Sequence, residues 1–213
     1  MEVFTLKRIF TLIFIFVILH MGTAFASVEE HIDNEMSYEM SYPIVYTNNK
    51  AIQDKINQDI YHYIISFKDD YKAGKFYEGK FSYEVKFEDD NYVSLTITDY
   101  RYNLRAVYGH STVYGIVYDK NTGQKLPLSH FLRVTLDDLK LIVEGHLYNW
   151  SGTKIKADMR WHKLERVSED YYLLGDGGIA LIYRRYELAS GGDDTTTIRL
   201  SSKDIDYFNR KNR

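Results

Sequence analysis

Apolar residues recur every four positions at Ile52, Ile56, Ile60 and Ile64, joined by Tyr63 and Phe67. Asn49, Lys50, Asp54, Lys55 and Asp59 occupy the other faces. A stripe of this period predicts an amphipathic helix. Thr47 or Asn48 is placed to cap its start, and the helix is expected to run to about Tyr71 and stop near Gly74. Ahead of it, residues 38–46 alternate as a strand, with Pro43 implying an edge or a bend. Residues 27–37 are polar and acidic and are expected to be irregular.

The period then changes to two. Residues 81–87, 92–102 and 111–118 alternate and are separated by Glu88-Asp89-Asp90-Asn91 and by a longer connection, which predicts an antiparallel meander closed by the turn Asp119-Lys120-Asn121-Thr122-Gly123. Residues 128–150 read as a helix, with Leu136, Leu139, Leu141, Ile142, Val143 and Leu147 as its apolar set. Asp137 and Asp138 fall in its first turn, where the helix dipole favours them. A short helix is expected within 154–167. Residues 171–174 and 179–183 flank Gly175-Asp176-Gly177-Gly178 as a hairpin, residues 195–200 form a last strand, and Ser201 starts a C-terminal helix. The fold class is therefore α+β: antiparallel sheet or sheets with helices packed on one face, as two small lobes or one composite domain. The expected division is a leader over 1–26, a strand–helix lobe over 27–78 and an antiparallel α+β domain over 79–213.

The leader changes the picture of where the chain works. Lys7 and Arg8 precede an unbroken apolar run over residues 9–19, and Ala24-Phe25-Ala26 follows as a small-x-small site. That order is the signature of a secretory signal peptide. The run is short of the ~20 residues that span a bilayer. Cleavage is expected after Ala26, giving an exported chain, periplasmic or extracellular, with no membrane span after cleavage.

Composition removes several classes of function. A net charge of −3, with 27 basic and 30 acidic residues, argues against a nucleic-acid partner. With no cysteine there is no disulfide, thiolate nucleophile or zinc–thiolate site. Twenty tyrosines suit half-buried strands, where an apolar ring carries a polar tip.

The search for chemistry yields no catalytic, cofactor or metal residues. His-Glu-x-x-His, Gly-x-Ser-x-Gly and the phosphate-binding Gly-x-x-x-x-Gly-Lys are all absent. His31, His62, His110, His130, His146 and His162 are dispersed, none at i, i+4 from another. The doublets Asp69-Asp70, Asp89-Asp90, Asp137-Asp138 and Asp193-Asp194 invite comparison with paired glycosidase carboxylates. They fall at helix ends and turns, where Asp serves local hydrogen bonding. Asp176 and Asp193-Asp194 lack the spacing of a calcium loop. Trp150 and Trp161 are read as core residues.

The order of motifs resembles a known pairing. A Tyr-Pro-Ile strand leads into the helix holding Lys55-Ile56-Asn57. Gly109-His110 precedes the run from Tyr118 to Leu128, Tyr-Asp-Lys-Asn-Thr-Gly-Gln-Lys-Leu-Pro-Leu, and the hairpin ends in Tyr186-Glu187-Leu188-Ala189. Together these resemble a pair of uncharacterised bacterial envelope domains. Those domains form the extracellular region of a lysozyme-sensing anti-sigma factor and the N-terminal region of a peptidoglycan deacetylase. The resemblance implies the shared module alone, without the sigma-binding part or the catalytic domain. It also makes Asn149-Trp150-Ser151 an accidental glycosylation triplet.

The expected function is an exported, non-catalytic cell-envelope binding or sensor-like module, without cofactor, whose partner is peptidoglycan or an envelope protein. The alternative is a hydrolase of wall polymers with an active site assembled only in three dimensions. His110 with Asp99 or Arg101 is then its best constellation.

Overall fold

Asn49, rather than Thr47 or Asn48, caps the long helix, because its side-chain oxygen accepts the N–H groups of Ala51 and Ile52. Thr47 instead donates its hydroxyl to the carbonyl of Asn49. The computed structural model describes residues 27–157, 163–189 and 195–213; the expected leader lies outside them. The helix, α1, spans Lys50–Lys72 and stops as Gly74 turns the chain at φ 70. Ile56, Ile60, Ile64 and Phe67 are buried along one side, as the four-residue period predicts.

Five strands form the first sheet: β1 Val28–Ile32, β2 Tyr38–Val45, β3 Glu78–Glu88, β4 Tyr92–Tyr102 and β5 His110–Asp119, in the order β1-β2-β3-β4-β5. The expected meander is β3-β4-β5. β2 runs parallel to β3 because α1 is the crossover between them. The expected boundary between 78 and 79 falls within the first residues of β3, which pairs with β2 at Tyr38 and Gly79.

Residues 27–37 are not irregular throughout. Val28–Ile32 pairs antiparallel with β2, from Val28 opposite Val45 to Ile32 opposite Ser41. Only Val28 of this strand is shielded, so backbone hydrogen bonds hold it, with little apolar burial to mark it in the sequence. Pro43 fits β2 because pairing with β3 ends at Met40. The Tyr46 N–H bonds the Ser27 carbonyl, so even positions face β1 and the Pro43 nitrogen points to the open side. Two residues on, the amide side chain of Asn57 in α1 bonds both the N–H and the carbonyl of Val45, each at 2.8 Å.

β4 is buried on both faces. Val93, Leu95 and Ile97 meet α1 together with Ile116 and Tyr118 of β5. Ser94 and Thr96, equally buried, face the other way. Val113 and Val117 lie on that second face, not on the α1 face. Val85 is 42% exposed. A bulge between Val85 and Phe87 sets Phe87 opposite Ser94. It thereby turns the Phe87 ring to the second core.

The second sheet has the order β6-β9-β8-β7, from β6 Leu147–Asn149, β7 Tyr171–Leu173, β8 Ile179–Arg184 and β9 Thr195–Leu200, all antiparallel. The expected hairpin is β7–β8. Residues 128–150 are not one helix. A single 3-10 turn, Leu128–His130, precedes α2 at Leu136–His146, and Leu147–Asn149 is a strand paired with β9. Leu147 is buried as a strand residue, while Leu141 is 81% exposed on the outer face of α2. The short helix expected within 154–167 is absent from 154–157 and 163–167; the remainder lies outside the described residues. The C-terminal helix, α3, spans Ser202–Lys211. Thr135 with Asp138, and Ser201 with Asp204, close reciprocal capping boxes at α2 and α3. Leu139, Val143 and Phe208 of these helices share a core with Leu173, Leu181 and Ile198 of the second sheet. The fold is mixed α+β, with mostly antiparallel sheets covered by helices.

Candidate functional site

α1 presents a polar face opposite its buried stripe. Lys55, Asp59 and His62 follow one another at spacings that share a side of the helix. The turn after β5 folds back onto this side. Tyr118 bridges Lys125, and Gly123 turns at φ 67, where a Cβ would lie 3.1 Å from the carbonyl oxygen of Ile52. Asp119 pins the turn by accepting the N–H groups of Asn121 and Thr122. Between helix and turn is a cleft of about 520 Å³ lined by Lys55, Gln58, Asp59, His62, Gln124 and Lys125, with Tyr118 at its base.

Tyr118 is fully buried and donates its hydroxyl to Asp59 at 2.6 Å. Burial, then the bond to Asp59, pushes its phenol far above the ordinary range. It stays a neutral donor and occupies one oxygen of the cleft's carboxylate. Lys125 donates to the Tyr63 hydroxyl at 2.7 Å, and Lys55 to the Thr122 carbonyl at 3.3 Å. Each ammonium keeps further donors. The arrangement can hydrogen-bond hydroxyls, amides and carboxylates. Its hydroxyl bonded to a carboxylate, that of Tyr118 to Asp59, belongs to a fully buried residue.

The turn at 119–123 is legible in the sequence, but the cleft is not. Lys55, Asp59 and His62 read as the solvated side of an amphipathic helix, and only packing brings the turn across them.

His110 and Arg101 are opposed across β4 and β5. His110 is exposed, and its Nε2 lies 3.4 Å from the Thr112 hydroxyl. Both oxygens of the buried Asp99 are taken by Arg101, through Nε and Nη2 at 2.7 Å each. Arg101 also donates Nη1 to Asp70 at 2.6 Å. Hydrogen bonds from Lys75 and Arg101 hold the Asp70 carboxyl below its ordinary value. This network ties α1 to β4 as structure.

The other doublets have local work. Asp89 accepts the N–H groups of Asn91 and Tyr92 in the β3–β4 turn. Asp138 closes the α2 capping box and receives Lys211 and Asn212 of the C-terminal segment. Asp176 accepts the Gly178 N–H at 3.0 Å in the β7–β8 turn. Asp193-Asp194, His162 and Trp161 lie outside the described residues. Among the remaining histidines, His31 lies tilted against Tyr42 and His130 meets Phe131 edge-on. The His146 Nδ1 lies 2.9 Å from the Ile142 carbonyl and its Nε2 3.6 Å from Asp204. Trp150 packs edge-on to Tyr172, with Lys86 over its ring at 4.5 Å. Asn149 accepts the Ser151 hydroxyl and the Thr153 N–H, as a turn residue does. Among the described residues, no group of three or more His, Asp or Glu could hold a metal, and no helix is long and apolar enough to cross a membrane.

No family model and no curated protein matches the chain. Solved structures do match in fold. A DUF3298 family protein from Pseudomonas aeruginosa PAO1 aligns with TM-score 0.58 and 11% identity, covering 84% of this chain and 90% of its own. A member of the same family from Bacteroides fragilis NCTC 9343 aligns with TM-score 0.53 and 13% identity, covering 85% and 92%. At such identities the likeness shows a shared fold, that of an uncharacterised bacterial domain.

Proposed function

We propose that the chain is an exported, non-catalytic binding module of the cell envelope, and that the cleft between α1 and the 119–125 turn takes peptidoglycan. The observation that carries this reading is the cleft's chemistry. Two ammonium groups and two carboxamides surround a carboxylate already engaged by Tyr118. Such a set recognises hydroxyl, amide and carboxylate groups, which the glycan and stem peptides of the wall present together. The leader over residues 1–26 supports placement outside the cytoplasm. A Lys–carboxylate contact gains strength where the site is partly desolvated, and each ~1.4 kcal/mol is tenfold in affinity.

The direct test is retention of the purified protein on isolated cell-wall sacculi. Wild type is retained, and the double variant K55Q/K125Q is retained about tenfold more weakly with an unchanged melting temperature. A wild type that neither binds sacculi nor recovers an envelope protein from membrane extracts overturns the reading.

A further inference from the structure

A second cleft opens where α2 and α3 meet one end of the second sheet. Its volume is about 530 Å³, within the ~300–1,000 Å³ of small-molecule sites. Its walls come from His146 at the end of α2, Tyr148 of β6, Leu174 and Asp176 of the β7–β8 connection, Arg199 of β9 and Asp204 of α3. It shares no residue with the cleft beside α1.

One wall is a positioned cation. The Arg199 guanidinium lies 4.8 Å from the centroid of the Tyr148 ring, and its Nε is 3.5 Å from the Thr197 hydroxyl, with the Tyr172 hydroxyl close by. Gly152, at φ 87, makes room for it, since a Cβ there would lie 3.3 Å from Nη2. Stacking on a ring fixes the plane of the guanidinium and leaves the Nη donors at its edge for a partner. Asp176 and Asp204 line the same cleft, yet among the described residues no carboxylate forms an ion pair with Arg199.

Another wall is made of acceptors. His146 Nδ1 lies 2.9 Å from the Ile142 carbonyl, which can only accept, so Nδ1 carries the proton of the neutral ring. Nε2 then presents its lone pair, 3.6 Å from Asp204 Oδ2. That oxygen already takes the Ser201 N–H at 2.8 Å and the Ser201 hydroxyl at 2.6 Å. Asp176, exposed on the β7–β8 turn, adds a second carboxylate, and no lysine lines the cleft.

We infer that this cleft binds a small zwitterion, an amino acid or short peptide, with its carboxylate on Arg199 and its ammonium among His146 Nε2, Asp204 and Asp176. A guanidinium fork meets a carboxylate through two parallel hydrogen bonds. An ammonium brings donors and no acceptor, as a wall of acceptors requires. A simple anion would meet two carboxylates, and a simple cation would meet the guanidinium. A ligand carrying both charges satisfies both walls. Leu174 and Leu200 offer apolar surface to its alkyl part. The inference does not depend on the wall-binding reading of the cleft beside α1.

The test is isothermal titration calorimetry of the purified protein at about pH 7, where an α-amino group is protonated. The probes are alanyl-alanine, its N-acetyl derivative, its C-terminal amide and free alanine. Alanyl-alanine binds saturably, and each blocked form binds at least about tenfold more weakly. Tighter binding of alanine than of the dipeptide supports the inference with amino acids as the source, and the reverse supports it with peptides as the source. In R199Q the dipeptide binds no better than its amide. In D176N, whose side-chain oxygen can still accept the Gly178 N–H, the advantage of the dipeptide over its N-acetyl form shrinks severalfold. Each variant thus acts on one end of the ligand, a pattern that general loss of structure does not produce. No saturable binding of alanyl-alanine or alanine, a blocked form binding as tightly as the dipeptide, or wild-type discrimination in R199Q overturns the inference. K55Q/K125Q titrates as wild type, and retention on sacculi is measured separately, so either reading can fail without the other.

Discussion

Gly115 of β5 lies directly beneath the backbone of Tyr171 in β7: a Cβ on Gly115 would be 2.3 Å from the Tyr171 carbonyl oxygen and 2.4 Å from its nitrogen. β7 is the edge of the second sheet, and its open side rests on the second face of the first. The neighbouring Leu173 N–H donates to the Ser94 hydroxyl at 2.9 Å. An unpaired strand edge is thus covered by small residues of another sheet. G115A forces the sheets apart and is expected to cost about 2–3 kcal/mol, measured by urea denaturation. An unchanged midpoint would show that β7 does not dock this closely.

Ile60, 1% exposed in the middle of the α1 stripe, tests the other face of the same sheet. I60D buries a carboxylate without a partner and is expected to cost about 4 kcal/mol or more. I60A leaves a cavity and costs about 2–4 kcal/mol. Thermal unfolding of both variants checks the order, with I60D melting first.

Asp138 gives the fold an acid-sensitive link between α2 and α3. It is 2% exposed. Burial works to raise its pKa, but hydrogen bonds from Lys211, Thr135 and Asn212 outweigh it and hold the carboxyl well below the ordinary range. A depressed folded pKa contributes stability that is complete above the unfolded value of about 3.9 and fades as pH falls through the folded one. D138N is expected to lose about 1–2 kcal/mol at pH 7 and to show a shallower loss below about pH 4 than wild type. Denaturation midpoints measured from pH 7 to pH 2 test the sign. Parallel curves for the two proteins would refute it.

His110 separates binding from catalysis. Because it is exposed and its ring meets the Thr112 hydroxyl at a long 3.4 Å, H110A is expected to leave stability within about 0.5 kcal/mol and sacculus retention unchanged. Release of soluble wall fragments by wild type, abolished in H110A, would establish the hydrolase instead.

Local periodicity determined much of this protein. The spacing of Ile56, Ile60 and Ile64 fixed which side of α1 is buried, and alternation with turn residues placed β3, β4, β5, β7, β8 and β9. Ser201 was legible as a cap because its hydroxyl serves an N–H only three residues on. Tertiary structure decided whatever needs a partner distant in the chain. β1 and β6 are defined by ladders to β2 and β9, and their own patterns carry little apolar signal. Val113 and Val117 went to the second face because β5 follows β4 in register, with Val117 opposite Ser94 and Val113 opposite Thr98. The small residues Ser94 and Gly115 made sense only once β7 lay on them. The cleft joins Lys55 and Asp59 to Lys125 across some 66 to 70 positions, a meeting that no local pattern encodes. Periodicity reports which face of an element avoids water; which element covers that face is set by long-range packing.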